Sequence, residues 1–540
     1  MDHVLTLYTA WGRRPRRRAW PGKSLRIYTA VLTMLVASLG VSPAAAQHGS
    51  GDLETTSTAE TAAPAGAGPT GSVASHAAEG ETMGSGHDGA RRIPHLLWTV
   101  PFVAILLAIA IFPLVPSIAH WWEHNRNRLL ISVILAAITC AYYLLRGWGF
   151  HHAEAGWPTL MSVLDHAVVK DYIPFIVLLF SLYVISGGIR LSGDIPAHPI
   201  TNTLFLAAGT LLASLIATTG AAMLLIRPLL QVNSERKHVV HTVVFFIFLV
   251  ANIGGSLLPI GDPPLFLGYL RGVPFLWTFN LFPPWLPLVV VLLVMYFVID
   301  LFVYGKEEKK DIDRDETVRK PLKLEGNSNF LLLVGVILAV AFLVPGKKLP
   351  GLGVEVPNLF LREIAQLTLA GLSMWLTPKA LRKANHFDFH AINEVAALFI
   401  GIFITMQVPV EILHVKGPTL GLDKSWQFFW ATGALSAFLD NAPTYVVFFE
   451  TAGTLKAGGM PVLEGLRTTT GFVPVPLLLA ISCGAVFMGA MTYIGNGPNF
   501  LVKSIAESRG VKMPSFFGYM VWSIAILVPL YLILTFIFFV

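Results

Sequence analysis

The sequence predicts an all-α polytopic membrane protein. It predicts two inverted repeats, each of five spans plus a re-entrant hairpin, with broken helices at the midplane. Three observations carry this. The 540 residues are 54% hydrophobic and only 13% charged, against roughly 25% charged in an ordinary soluble domain. The apolar residues fall in runs of about 17–30, long enough to cross a hydrocarbon core of roughly 30 Å as helix, whereas a β-barrel shows alternating segments of about 10. Two of the runs are interrupted at mid-length by polar residues, and the two halves of the chain match each other around those interruptions.

So little charge excludes a soluble enzyme of the usual kind and disorder over most of the chain. The net charge of +6 and pI near 9.2 do not point to nucleic acid. Many basic residues sit in the N-terminal leader and in short loops between spans, where lysine and arginine set topology. Cys140 and Cys483 both lie inside apolar runs, so neither a disulfide framework nor a metal centre is expected. No cofactor is expected. The chain also lacks a catalytic triad and a nucleotide-binding loop, so it reads as neither an enzyme nor an ATP-driven pump.

Residues 1–46 read as a signal peptide. Arg13, Arg14 and Arg16 to Arg18 form a basic start, 27–41 is a short apolar region, and Ala44-Ala45-Ala46 offers a cleavage site. Residues 47–96, rich in Gly, Ser, Thr and Ala, read as a disordered extracytoplasmic tether. The first transmembrane repeat then occupies 97–303, a charged cytoplasmic linker 304–328, and the second repeat 329–540. Full spans are expected near 97–119, 129–146, 171–190, 239–270, 275–303, 329–345, 358–377, 393–413, 473–503 and 515–540. The stretches 201–227 and 426–452 are expected to be hairpins, because Thr218-Thr219-Gly220 and Asp440-Asn441-Ala442-Pro443 break them. Irregular backbone at membrane depth is tolerated only where protein buries it or it lines a cavity. With the N-terminus outside, the inside loops hold 19 lysines and arginines, and the outside segments about 12, the bias that orientation requires. Five spans per half invert the second half relative to the first, the plan of a secondary transporter.

The halves resemble each other in sequence. Gly255-Ser256-Leu257-Leu258-Pro259-Ile260-Gly261-Asp262-Pro263-Pro264 aligns with Gly489-Ala490-Met491-Thr492-Tyr493-Ile494-Gly495-Asn496-Gly497-Pro498 at an offset of 234. The hairpin tips, Thr218-Thr219 and Asp440-Asn441, align at 222, and Phe180 aligns with Phe403 at 223. Pro and Gly clusters inside a span break its hydrogen-bond ladder and free backbone groups near the midplane. Two tips and two breaks therefore define one central site. It carries Asp262, Asp440, Asn441, Asn496 and Asn499, with Thr218, Thr219, Ser256 and Thr492 as neutral oxygens. An ionisable residue inside a span is a functional candidate by default. Asp262 and Asp440 can each ligate a hard cation through oxygen or hold a proton in its place, since burial favours the neutral form of a carboxylic acid. Glu394, at the start of a span, is a candidate for the proton pathway and equally a helix-start acid favoured by the macrodipole. Asp171 has the same dual reading. Glu450 is expected at the outer edge of its hairpin, and His241 near a solvated interface. Trp121, Trp122, Trp277, Trp285 and Trp522 are expected as interface anchors.

These stretches resemble a known family. Thr218-Thr219-Gly220-Ala221-Ala222-Met223-Leu224-Leu225-Ile226-Arg227-Pro228, the run from His241 to Leu249, Asn252-Ile253-Gly254-Gly255-Ser256, Gly261-Asp262-Pro263-Pro264 and Asp440-Asn441-Ala442-Pro443-Thr444 resemble NhaD-type sodium/proton antiporters. Those belong to the ion transporter superfamily, with arsenite permeases, citrate carriers and divalent-anion/sodium symporters. The resemblance covers roughly 97–540. It implies an inverted-repeat fold with two re-entrant hairpins, a homodimer, elevator-like alternating access and a bacterial inner-membrane location. Several superfamily members carry Asp-Asn at the first tip, where this chain has Thr218-Thr219, and the second break has Asn496-Gly497 without an acid. The function expected is exchange of Na⁺ or Li⁺ for protons. The alternatives are a sodium-coupled importer of an organic anion such as citrate, or an arsenite-type efflux permease.

Overall fold

The computed structural model describes residues 93–150, 153–308, 310, 320–348, 353–357, 359–455 and 465–540. The leader 1–46 and the tether 47–96, up to residue 92, lie outside the described residues. So do His151 and His152.

Without water to hydrogen-bond a bare backbone, apolar runs at membrane depth become helices. The first span, Leu96–Leu114, is centred on α1 (Val100–Ile111). The second is α2 (Asn125–Leu145). The third begins earlier than 171, at Trp157, and passes through a wider π-helical stretch at Asp165–Tyr172 into α3 (Ile173–Ser186). Pro174, in the first turn of α3, lacks the backbone N–H that a continuous α-helix would use there. Strand β1 (Arg190–Asp194) follows, then α4 (Pro199–Ile216) and α5 (Thr218–Val232), which pack together with only Ala217 between them. Ala217 turns the chain at φ 64°, a conformation that a residue with a Cβ rarely adopts.

The expected span 239–270 is two half-helices, α6 (Val240–Leu249) and α7 (Pro263–Leu270), separated by irregular backbone. Helix α8 (Phe282–Tyr304) completes the first half. The linker returns as β2 (Lys320–Glu325), antiparallel to β1 with Leu191 opposite Leu324.

The second half follows the linker. It runs α9 (Ser328–Phe342), α10 (Leu361–Leu376), α11 (His390–Thr405) and α12 (Gln407–Lys416), then α13 (Ser425–Phe438) and α14 (Asn441–Thr454). A small hairpin of β3 (Gly465–Thr468) and β4 (Gly471–Pro474) closes the following loop. The second broken span is α15 (Val475–Met488) and α16 (Gly497–Ser508), and α17 (Phe516–Phe538) ends the chain. Among the described residues, seven helices are long and apolar enough to cross a membrane, with four shorter apolar helices beside them. The protein is thus an all-helical polytopic membrane protein. Leu331, Phe302, Trp375 and Phe536 are exposed on its surface, where hydrocarbon rather than water suits them.

The broken regions of the two halves are built alike. Ser214 on α4 donates to Gly254 O, and Ser436 on α13, 222 residues later, donates to Ala485 O at 2.7 Å. Gly261 leaves no room for a Cβ, which would lie 2.3 Å from Gly255 O. Gly495, 234 residues later, would meet Gly489 O at 2.6 Å. Both glycines are there because another stretch of backbone passes where a side chain would be.

Tryptophans placed by sequence at the interface are mostly interior. Trp122, Trp277 and Trp285 are buried, and Trp285 Nε1 donates to Ile253 O at 2.8 Å. Trp121 is exposed.

Gly261→Ala places its methyl on a backbone carbonyl that cannot swing aside, so overpacking of about 1–3 kcal/mol is expected. Gly497→Ala meets nothing within 4 Å and should change stability by less than about 0.5 kcal/mol. Thermal unfolding of both variants in detergent checks the pair; equal melting points would contradict the packing argument.

Candidate functional site

Four helix N-termini meet at the centre of the fold. Helix α5 starts at Thr218, α7 is preceded by Asp262, α14 by Asp440 and α16 by Asn496. Each N-terminus presents unpaired N–H groups and about half a unit of positive charge. Pro263-Pro264 and Pro498 sit in the first turn of α7 and α16, where a missing N–H costs nothing.

Asp262 and Asn496 occupy equivalent positions. Their backbones are extended alike, at φ −145°, ψ 142° and φ −154°, ψ 139°. An Asp or Asn at this position ordinarily bonds back to its own helix. Neither does so here; the two side chains turn to each other instead. Asn496 Nδ2 donates to Asp262 Oδ1 at 3.2 Å. Thr218 Oγ1 donates to the same oxygen at 3.0 Å, and Asn441 Nδ2 to Asp262 Oδ2 at 2.6 Å. The buried carboxylate of Asp262 thus takes three hydrogen bonds, each from the start of a different helix. The tip of the first hairpin is also held through its backbone, with Thr218 N bonded to Gly261 O at 2.9 Å.

Asp440 is partly exposed and caps α14, accepting from Ala442 N at 3.1 Å. It lies near enough to Asp262 for their charges to oppose each other. Among the described residues, no lysine, arginine or histidine pairs with either aspartate. Asn441 Oδ1 is buried without a donor. An unfilled acceptor beside two carboxylates without counter-ions is a set of oxygens suited to a hard cation.

Behind these groups runs a ladder of amides that joins the halves. Asn252 Nδ2 donates to Asn499 Oδ1 at 2.6 Å and to Ile247 O at 2.8 Å. Its own oxygen accepts from Asn496 at 3.2 Å. Asn499 Nδ2 holds Gly489 O and Thr492 O at 2.8 and 2.9 Å. These bonds satisfy backbone carbonyls that the interrupted helices leave free. Asn252 lies in the Asn252-Ile253-Gly254-Gly255-Ser256 stretch and is not among the candidate site residues that the sequence points to. Its signal was its place five residues after Ile247, where α6 gives way to glycines.

The structure brings together Asp262, Asn441, Thr218 and Asn496, with Asp440 beside them. It gives other candidates different work. Ser256 Oγ donates to Ile253 O at 2.7 Å and Thr492 Oγ1 to Ala437 O, so both serve the backbone of the breaks. Asn499 reaches the site only through Asn252 and Asn496. Thr219 is half-buried and makes no side-chain hydrogen bond. Glu394 pairs with Arg128 at 3.0 Å and has no hydrogen bond to the aspartates.

Two charged clusters lie away from the site. Arg271, which ends α7, bonds Glu450 Oε1 and Asp171 Oδ2, each at 3.0 Å, and His414 Nε2 lies 2.9 Å from Glu450 Oε2. Glu450 is therefore a buried partner in an ion-pair network rather than an edge residue. His241 is buried too, 2.8 Å from Asp300, which also takes Arg236 Nη2 at 2.5 Å. Asp300 and Arg236 are far apart in sequence, and nothing in their local pattern pairs them.

A helical membrane protein whose broken spans gather carboxylates and amides at helix ends has the build of a secondary transporter. The family model described as "Putative citrate transport" matches residues 91–539, and the chain belongs to that family, part of the ion transporter superfamily. It is a multi-pass membrane transporter of the ion-transporter type. No curated protein matches the chain.

Asn252→Ala removes a donor to Ile247 O and a bond to each of Asn499 and Asn496. Buried groups left unsatisfied cost about 1–3 kcal/mol. A fall in thermal stability for Asn252→Ala, with none for Lys379→Ala on a short helix away from the breaks, is the expected pattern; an unchanged melting point for Asn252→Ala would contradict a bracing role.

Proposed function

We propose that this transporter exchanges Na⁺ or Li⁺ for protons, with Asp262 and Asp440 holding the cation in one stage and protons in the other. One observation carries the reading: among the described residues, the two central aspartates have no basic partner. Elsewhere the chain pairs its spanning acids. Glu394 has Arg128, Glu411 has Arg146, Asp171 and Glu450 have Arg271, and Asp300 has Arg236. A lone carboxylate in a medium of low dielectric is costly unless neutralised. A proton or a monovalent cation neutralises it, and the two compete for the same oxygens. The four helix N-termini keep the ionised form attainable between the two. Asn441 Oδ1, buried without a donor among the described residues, adds a neutral oxygen.

In this reading the halves form an inverted pair, and alternating access carries the site between the two faces of a bacterial inner membrane, within a homodimer, with the N-terminus outside the cytoplasm. Each charge that crosses is worth about 2.3 kcal/mol per 100 mV, so the ratio of protons to cations decides whether the membrane potential drives exchange.

A second reading is a sodium-coupled importer of citrate or a similar anion. The family description favours it, and so do the helix N-termini and amide donors, which suit a carboxylate ligand. The aspartates would then hold the coupling sodium.

Proteoliposomes with an acid interior separate the two. External Na⁺ or Li⁺, but not K⁺, should collapse the pH gradient, and Asp262→Asn and Asp440→Asn should each cut the rate by about a hundredfold, as expected when a charged, desolvated ligand is neutralised. No response to cations, together with citrate uptake driven by a sodium gradient, would overturn the antiporter reading.

A further inference from the structure

At the ends of α5 and α16 remote from the aspartates lies a partly open cavity. The turn between α5 and α6 and the turn after α16 bound a space of about 460 Å³, within the range of roughly 300–1,000 Å³ typical of small-ligand sites. Asn233, Arg236, Lys237, Arg509, Val511 and Lys512 line it.

Its charges are unevenly matched. Arg236 is held by Asp300, and Lys237 by Glu308. Nearby His238 faces Glu307 at 3.3 Å, and His241 faces Asp300. Arg509 and Lys512 have no carboxylate partner among the described residues. The acid closest to them in sequence, Glu507, is taken by Lys503 at 2.8 Å. Arg227 on α5 stands near enough to Arg509 for their charges to repel, with Asp388 and Tyr183 also in range of Arg227. Buried Arg236 Nε has no acceptor; Glu307 Oε1 lies 3.9 Å away. A concave wall thus holds two free cations, a third close by and an unfilled buried donor. Like charges gathered this way attract an anion.

We propose that this cavity binds a phosphate group. The Arg509 guanidinium and the Lys512 ammonium, both exposed on the turn after α16, suit a compact oxyanion with several acceptor oxygens. The cavity opens at the end of the helix bundle that meets the linker, through Glu307 and Glu308, and the charge bias of the sequence assigns this end to the cytoplasmic surface. Basic pockets between spanning helices at that level bind anionic lipid headgroups; soluble phosphate has the same chemistry. Bound there, the phosphate ties together α5, α6 and α16, the helices whose other ends reach Thr218, Asn252 and Asn496. The proposal holds whichever solute the central site carries.

The test uses the purified full-length chain in neutral detergent, with two probes: cardiolipin-doped micelles and inorganic phosphate. Binding is followed by native mass spectrometry and calorimetry. The double variant Arg509→Gln/Lys512→Gln should weaken binding about tenfold or more, as expected for lost charged hydrogen bonds. Arg509→Lys/Lys512→Arg should keep it, and Lys379→Gln/Lys383→Gln, on another loop, should leave it unchanged. Retention of cardiolipin alone identifies a lipid source, and binding of inorganic phosphate a soluble one; either supports the site. Binding of neither probe, equal binding by the Arg509/Lys512 glutamine variant, or equal loss in the Lys379/Lys383 control overturns it.

Discussion

Interrupting a helix inside a membrane frees backbone groups that no water can satisfy. Much of this structure answers that constraint. Ser214 and Ser436 cover carbonyls beside the two breaks. Asn252 and Asn499 take three more, at Ile247, Gly489 and Thr492. Gly261 and Gly495 let one stretch of chain pass against another. Once these groups are satisfied, the starts of four helices can stand at one point, and that point is where Asp262 accepts three hydrogen bonds from three of the neighbouring elements.

The treatment of charge separates framework from site. Acids that hold helices together come with basic partners, as Arg271 serves Asp171 and Glu450, and Arg236 serves Asp300. Breaking such a pair strands a charge and costs several kcal/mol, so these clusters resist change. Asp262 and Asp440 lack this compensation. Their partners among the described residues are neutral donors and helix ends. Asp262 is buried while Asp440 is partly exposed.

Much of this was legible in the sequence because broken helices announce themselves. Asp262-Pro263-Pro264 and Asn496-Gly497-Pro498 cannot continue a helix, and the structure places a helix start after each. The same logic pointed to Thr218 and Asn441, which the structure places within hydrogen-bond distance of Asp262. It could not rank the polar residues around them. Ser256 and Thr492 look like ligands in sequence but bond backbone, because a hydroxyl's partner depends on where the next strand of chain lies. Long-range pairs were invisible for the same reason: Asp300 meets His241 across 59 residues, and Glu450 meets Arg271 across 179. His241 was placed at an interface on the strength of its position near a span's end, and Trp122, Trp277 and Trp285 on the strength of residue type. Packing against other helices, which periodicity does not report, buried all four.

The most direct test of shared occupancy at the two aspartates is proton release on cation binding. Purified transporter in weakly buffered detergent solution is mixed with NaCl, LiCl or KCl, and the pH is followed. Sharing predicts that Na⁺ and Li⁺ acidify the solution, that K⁺ does not, and that the double variant Asp262→Asn/Asp440→Asn is silent. Sodium binding with no proton released from the unmodified protein would contradict the account.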